Sequence, residues 1–206
     1  MDPLYGFTSM SQVYRKADPE YEGRYTVPVL WDKKTETIVN NESSEIIRMF
    51  YEAFDALLPE EDRESAHPGG GFYPEGLRGR IDEMNEWVYE TVNNGVYKTG
   101  FAATQEAYER NLYPLFESLD RLERLLGEEG RGPYLMGEWV TEADIRLYTT
   151  MIRFDVAYYN IFMCNLKMVR HDYPRLSRWL RYLYWDGGKV RNGDAFKKTV
   201  HFWSVS

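Results

Sequence analysis

Residues 25–54 read YTVPVLWDKKTETIVNNESSEIIRMFYEAF, and the order of elements within them sets the architecture. Tyr25, Val27, Val29 and Trp31 alternate with Thr26, Pro28 and Leu30, the period of a strand, so YTVPVLWD reads as a short β run. DKKT is a turn-like break, and TIVN reads as a second strand, which together predict a hairpin. Behind the polar NESS, Ile46, Ile47, Phe50 and Phe54 fall at helical spacing. Strand, strand and helix in about 30 residues are too little to stand alone.

Two features of this stretch bear on binding. Proline lacks an N–H, so Pro28 belongs at a sheet edge or bulge. A cis Val27–Pro28 peptide would turn the Val27 carbonyl and amide outward, ready to pair with an extended peptide; an ordinary edge-strand proline is the alternative. The NESS segment opens a helix, where free N–H groups and the helix dipole attract a carboxylate, with Ser43 adding a hydroxyl and Glu42 able to hold an amine. That pair of contacts suits an amino-acid head group, although plain capping by Asn41 or Ser43 explains the same residues.

Working outward, Leu57 to Gly76 (LLPEEDRESAHPGGGFYPEG) is charged and rich in Pro and Gly, which predicts a linker or long loop. Everything beyond it reads helical. Leu77, Ile81, Met84 and Val88 mark one helix. Leu112, Leu115, Leu119, Leu122 and Leu126 mark a second, with Pro114 a kink or a late start. Ile145, Tyr148 and Ile152 mark a third, and Leu176, Trp179, Leu180 and Leu183 a fourth after Pro174. These predict a bundle of at least four helices. Thr141-Glu142-Ala143-Asp144 matches a capping box, with Val140 and Ile145 placed as a hydrophobic staple.

The composition is consistent with this reading. Hydrophobic residues are 43% of 206 and aromatics 16%, including 17 Tyr and 6 Trp. That is enough for a packed core, and it also suits a pocket for flat rings. A formal charge of −8 argues against nucleic acid and anionic membranes as main partners. MDPLYGFTSM lacks the basic start and apolar core of a signal peptide, and no apolar run approaches a membrane span, so a cytoplasmic protein is expected. A single cysteine excludes an intrachain disulfide. Cys164, between Ile161, Phe162, Met163 and Asn165, reads as an inert structural thiol. His67, His171 and His201 are scattered without metal-ligand spacing, and the Gly69–Gly71 run lies in the linker rather than in a phosphate loop.

Taken jointly, TVPVLWDKKTETIVNNESSEIIRMF resembles the second half of the thioredoxin-like domain of glutathione transferases. The likeness is closer still to the glutathionyl-hydroquinone reductases, the Xi class with omega-like relatives. ETVNNGVYKTGFAATQEAY, GEWVTEADIRLYTTMIRFD and the region around YYNIFMCN resemble the helical domain of the same family. The resemblance runs from about Asp2 to about Phe202. It implies a mainly α protein, with residues 1–56 the C-terminal half (β-β-α) of a thioredoxin-like glutathione-binding domain. Residues 57–76 would be a linker and 77–206 a glutathione-transferase-type α-helical C-terminal domain.

By the same resemblance, Val27 would pair with the cysteinyl part of glutathione beside a cis Pro28, and Glu42 and Ser43 would bind the γ-glutamyl head. Tyr97 would face the sulfur and the hydroquinone, its phenol donating a hydrogen bond or proton to a developing anion. The implied cosubstrate is glutathione, with no metal. The implied reaction removes glutathione from glutathionyl-hydroquinones through a mixed disulfide that a second glutathione resolves, and a homodimer is expected.

The chain departs from the family at its nucleophile. The family cysteine lies in a Cys-Pro-Trp-Ala type motif at the start of the first thioredoxin helix, where the helix N-terminus lowers its pKa. No Cys-Pro pair occurs in these 206 residues. The family's basic, aromatic C-terminal tail is missing as well, so the sequence reads as truncated at both ends, and residues 1–56 are expected to be poorly anchored. Two functions remain in view: a glutathione-dependent thiol transferase inactive as this chain alone, or a non-catalytic transferase-like interaction and dimerisation module.

Overall fold

A computed structural model describes residues 2–185 and 194–201. The chain divides into two compact units, Met1–Ala66 and His67–Ser206.

The first unit opens with helix α1 (Met10–Ala17), an element that the β-β-α reading of residues 1–56 does not include. Gln12 closes a capping box with Ser9 at its start. Strands β1 (Leu30–Asp32) and β2 (Thr37–Asn40) pair antiparallel as the predicted hairpin. The Asp32 carboxylate holds the turn by accepting from the Lys34 and Thr35 amides at 2.7 and 3.3 Å. The first strand is shorter than its alternation suggests. Regular pairing begins only at Leu30, because the proline upstream cannot donate to a ladder and the register slips between Leu30 and Trp31. Helix α2 (Ser43–Tyr51) comes next. Ile46 is its buried residue, whereas Phe50 stands 56% exposed despite its helical spacing.

Residues 55–77 form a series of short 3₁₀ turns rather than one open loop. The second unit then carries α3 (Arg78–Val88), α4 (Gly95–Gly100), α5 (Gln105–Leu125), α6 (Glu142–Arg153), α7 (Val169–Asp172), α8 (Pro174–Trp185) and α9 (Ala195–Lys198). Ile81, Leu115, Leu119, Leu122, Leu147, Leu176 and Leu183 are wholly buried in its core. Each contributes about 2 kcal/mol of apolar burial. Helix α5 runs unbroken through Pro114, giving up one backbone bond but neither starting late nor ending there. Pro174 is the first residue of α8, where no N–H is missed. The next amides, of Arg175 and Leu176, donate to the Glu123 carboxylate of α5 at 2.9 and 2.8 Å.

The capping box at Thr141 forms and does more than cap. Asp144 is fully buried, and its carboxylate accepts from the Thr141 amide (3.0 Å) and hydroxyl (3.1 Å), the Leu135 amide (3.0 Å) and the Trp179 indole (2.9 Å). One side chain thereby pins the start of α6, the loop before it and the middle of α8. Beside it, buried Glu142 accepts from Asn85 at 2.9 Å and Arg146 at 3.1 Å, tying α3 to α6.

Candidate functional site

In the first unit the Val27–Pro28 peptide is cis. Val27 is 71% exposed, and its backbone N–H and carbonyl make no hydrogen bond among the described residues. The start of α2 is similarly open. Glu42 occupies the cap position without a side-chain cap bond, and the Ser43 amide and hydroxyl are unpaired among the described residues. Neither capping alternative is realised. Asn40, not Asn41 or Ser43, steadies this end, its carbonyl accepting from the Glu42 amide at 2.7 Å and its amide donating to Glu45 at 2.6 Å.

Asn41 has another task. It donates to the Tyr14 hydroxyl at 3.0 Å and to Thr26 Oγ1 at 3.3 Å, while the Tyr14 hydroxyl donates to the Thr26 carbonyl at 3.1 Å. Thr26 immediately precedes Val27, and Asn41 immediately precedes Glu42. This triangle therefore brings the open backbone of Val27 beside the open helix start at Glu42 and Ser43. Tyr14, 2% exposed on α1, is the residue sequence reasoning missed. Its only local signal was a polar, capped segment too short for periodicity to mark. Val27, Val29 and Trp31 also line a cavity of about 460 Å³ with Tyr5, Phe7 and Val13.

In the second unit, Tyr97 on α4 is 43% exposed, and its hydroxyl lies 2.9 Å from that of Tyr158. Their rings meet edge to face at 5.6 Å, and Phe162 stands edge-on to both. Phe162 also lies directly on the α4 backbone, where a Cβ at Gly100 would clash with its ring. Phe101, 75% exposed, flanks the cluster. Each tyrosine is aimed by a π-turn, Tyr89–Asn93 before Tyr97 and Phe154–Tyr158 ending on Tyr158. Such a turn inserts a residue and rotates the chain downstream of it, a device frequent at functional sites. Asn93 ties the first π-turn to α6 through Thr150 at 2.6 Å. Burial pushes the Tyr158 phenol up, the Tyr97 hydroxyl adds to this, and the Arg153 guanidinium opposes it.

Cys164 is wholly buried, its thiol turned toward the Val96 carbonyl at 3.8 Å. Burial pushes that thiol up to about 12, so it stays protonated and unreactive near neutrality. Among the described residues no cluster of His, Cys, Asp or Glu could hold a metal, and no helix is long and apolar enough to cross a membrane. A second concavity of about 570 Å³, bordered by Arg175, Arg178 and Tyr182, contains neither Tyr97 nor Tyr158.

A cis Val27–Pro28 peptide, a helix opening on Glu-Ser and a capping-box helix bundle make up a glutathione-transferase-type fold. Residues 105–181 match the family model described as glutathione S-transferase, C-terminal domain. Over 201 residues the chain is 53% identical to glutathione S-transferase omega-like 2 of Schizosaccharomyces pombe, covering 98% of this chain and 61% of that protein. It is similar to the crystal structure of glutathione transferase Xi 1 from Trametes versicolor, with a TM-score of 0.88 and 52% identity over 99% of this chain and 65% of that one. The glutathione-bound structure of YqjG from Escherichia coli gives 0.85 and 48%, over 99% and 60%. The chain's close homologues are thus the Xi-class glutathione transferases and glutathionyl-hydroquinone reductases, and its fold is the helical transferase domain preceded by part of a thioredoxin-like domain. The chain spans about three-fifths of the length of these relatives.

Proposed function

We propose that these residues supply the glutathione-holding half-site and the quinol-facing tyrosine of a glutathione-dependent thiol transferase acting on glutathionyl-hydroquinones. The Val27 backbone would pair with the cysteinyl unit of glutathione. The α2 start at Glu42 and Ser43 would take the γ-glutamyl carboxylate and amine. The observation that carries this reading is the Tyr14–Thr26–Asn41 triangle, which brings two open binding features side by side. The names of the relatives add glutathione and glutathionyl-hydroquinone to the chemistry.

In the reaction so proposed, a cysteine thiolate attacks the glutathione sulfur, the carbon–sulfur bond breaks and a mixed disulfide forms. The ring carbon gains a proton, for which Tyr97 is the candidate donor; a second glutathione then releases oxidised glutathione and restores the thiol. The chain's one thiol, Cys164, is too buried to serve as that nucleophile, so the 206-residue polypeptide is expected to bind glutathione without turning over. A homodimer in the cytoplasm is proposed on family likeness.

Purified chain assayed with a glutathionylated hydroquinone and excess glutathione tests this. The expected result is no turnover above background, with saturable glutathione binding by titration calorimetry that weakens in Glu42→Gln. Turnover abolished by Cys164→Ser would reassign the nucleophile. Absent glutathione binding would favour the rival reading, a transferase-like interaction module.

A further inference from the structure

The concavity of about 570 Å³ in the second unit shares no residue with the proposed thiol-transfer site, and charged side chains line it. Arg175, Arg178 and Tyr182 stand at i, i+3 and i+7 on α8, so one face of that helix turns two guanidiniums and a phenol toward the same space. Neither guanidinium forms an ion pair or a side-chain hydrogen bond among the described residues. Arg146, Lys167 and Arg170, by contrast, each reach a carboxylate.

The helix ends around these two heads do not use them either. The Leu122, Arg124 and Leu125 carbonyls that close α5 accept from the Leu126, Gly127 and Glu128 amides. The Arg175 and Leu176 amides that open α8 donate to Glu123. Both arginines are left with donors and no acceptor, yet their setting is fixed. The Arg175 guanidinium lies against the Gly127 backbone, where a Cβ would clash with it. The Trp179 indole in the same lining is held by Asp144 at 2.9 Å, and the Tyr182 ring meets buried Tyr134 at 5.6 Å. Glu138 also lines the concavity, and Gly132, with no Cβ, makes room for its carboxylate.

We infer that this concavity binds a small phosphate-type dianion, free or as a monoester, held between Arg175 and Arg178. A monocarboxylate is satisfied by one guanidinium fork, whereas a phosphate presents enough oxygens and charge to engage two. The formal charge of −8 repels an anion at long range, so affinity rests on this local pair. Glu138 tells against a ligand that is anionic throughout, and the body of a bound ester is therefore neutral or cationic. None of this depends on the proposed thiol transfer.

Titration calorimetry of the full chain with inorganic phosphate, and separately with phosphoethanolamine, tests the site at about pH 8, where both phosphates are mainly dianionic. Saturable binding is expected, weakened about tenfold in Arg175→Gln and in Arg178→Gln, the scale of one charge-assisted hydrogen bond. Gly127→Ala displaces Arg175 without removing its charge and should weaken binding roughly three- to fivefold. Glu138→Gln removes a like charge and should tighten inorganic phosphate by roughly two- to threefold. All four positions are exposed, so these variants keep the fold, which far-UV circular dichroism checks.

The inference is overturned by absent saturation with both probes, or by affinities that ignore both arginine substitutions. Equal affinity in the wild type and Gly127→Ala would also overturn it, reducing the contact to diffuse attraction toward two surface charges. Tighter phosphate but weaker phosphoethanolamine in Glu138→Gln assigns the site to an ester with a cationic body; binding of inorganic phosphate alone assigns it to the free ion.

Discussion

Replacing Asp144 with alanine should cost the helical unit more than almost any other single change. Its carboxylate serves three buried N–H donors, those of Leu135, Thr141 and Trp179, together with the Thr141 hydroxyl. The hydroxyl can rotate to another acceptor, but the three N–H groups cannot, and Leu135, Thr141 and Trp179 are all at most 2% exposed. Each stranded donor costs about 1–3 kcal/mol, so Asp144→Ala should lose roughly 4–6 kcal/mol even after partial relaxation. Asparagine retains one acceptor oxygen. Placed toward Leu135 and Trp179 it strands only the Thr141 amide, and Asp144→Asn should lose about half as much.

Urea unfolding followed by tryptophan fluorescence measures both, since Trp179 itself reports on the site. At a slope of about 1.5–2 kcal/mol/M the alanine midpoint should fall by roughly 2–4 M, with the slope unchanged. A loss below about 1.5 kcal/mol for alanine, or equal losses for both variants, would refute the claim that this carboxylate carries three buried donors.

Cys164 should resist alkylation in the native chain at about pH 8 and react fully in denaturant, as mass spectrometry would read; native-state labelling at the free-thiol rate would contradict its burial. Its raised pKa also sets a pH dependence. The neutral thiol is favoured in the folded state, so its contribution is complete below the unfolded value of 9.0 and is lost as pH rises from there toward about 12. Cys164→Ala should remove that share of the alkaline destabilisation. Tyr14→Phe removes the bonds to Thr26 and Asn41, and glutathione affinity by calorimetry should weaken roughly five- to tenfold, about 1–1.4 kcal/mol; unchanged affinity would mean that the triangle does not hold the two halves of the site together.

Much of the architecture was legible because it rests on local rules. The turn at Asp32, the capping box at Thr141, the proline opening α8 and the leucine spacing of α5 each depend on residues within one or two turns of one another. Where reading failed, competing forces acted at the same positions. Pro114 allows a late start, yet the helix begins at Gln105, and Leu112, Leu115 and Leu119 bury on either side of the proline and hold the helix together. Phe50 has the spacing of a core residue but lies on an exposed face of α2. Asn41 resembles a cap, but its amide is drawn to a tyrosine 27 residues away.

From the sequence alone came the hairpin and helix of the first unit, the bundle of the second and the chemical types at Val27, Glu42 and Ser43, because periodicity, capping and turn chemistry are short-range; Tyr97 came only from the family resemblance. Only the tertiary structure decided which partners those residues have. The Tyr14–Thr26–Asn41 triangle and the Tyr158 hydroxyl facing Tyr97, 61 residues apart in the chain, depend on how buried helices rotate and pack. The inertness of Cys164 likewise comes from the water that packing removes around it.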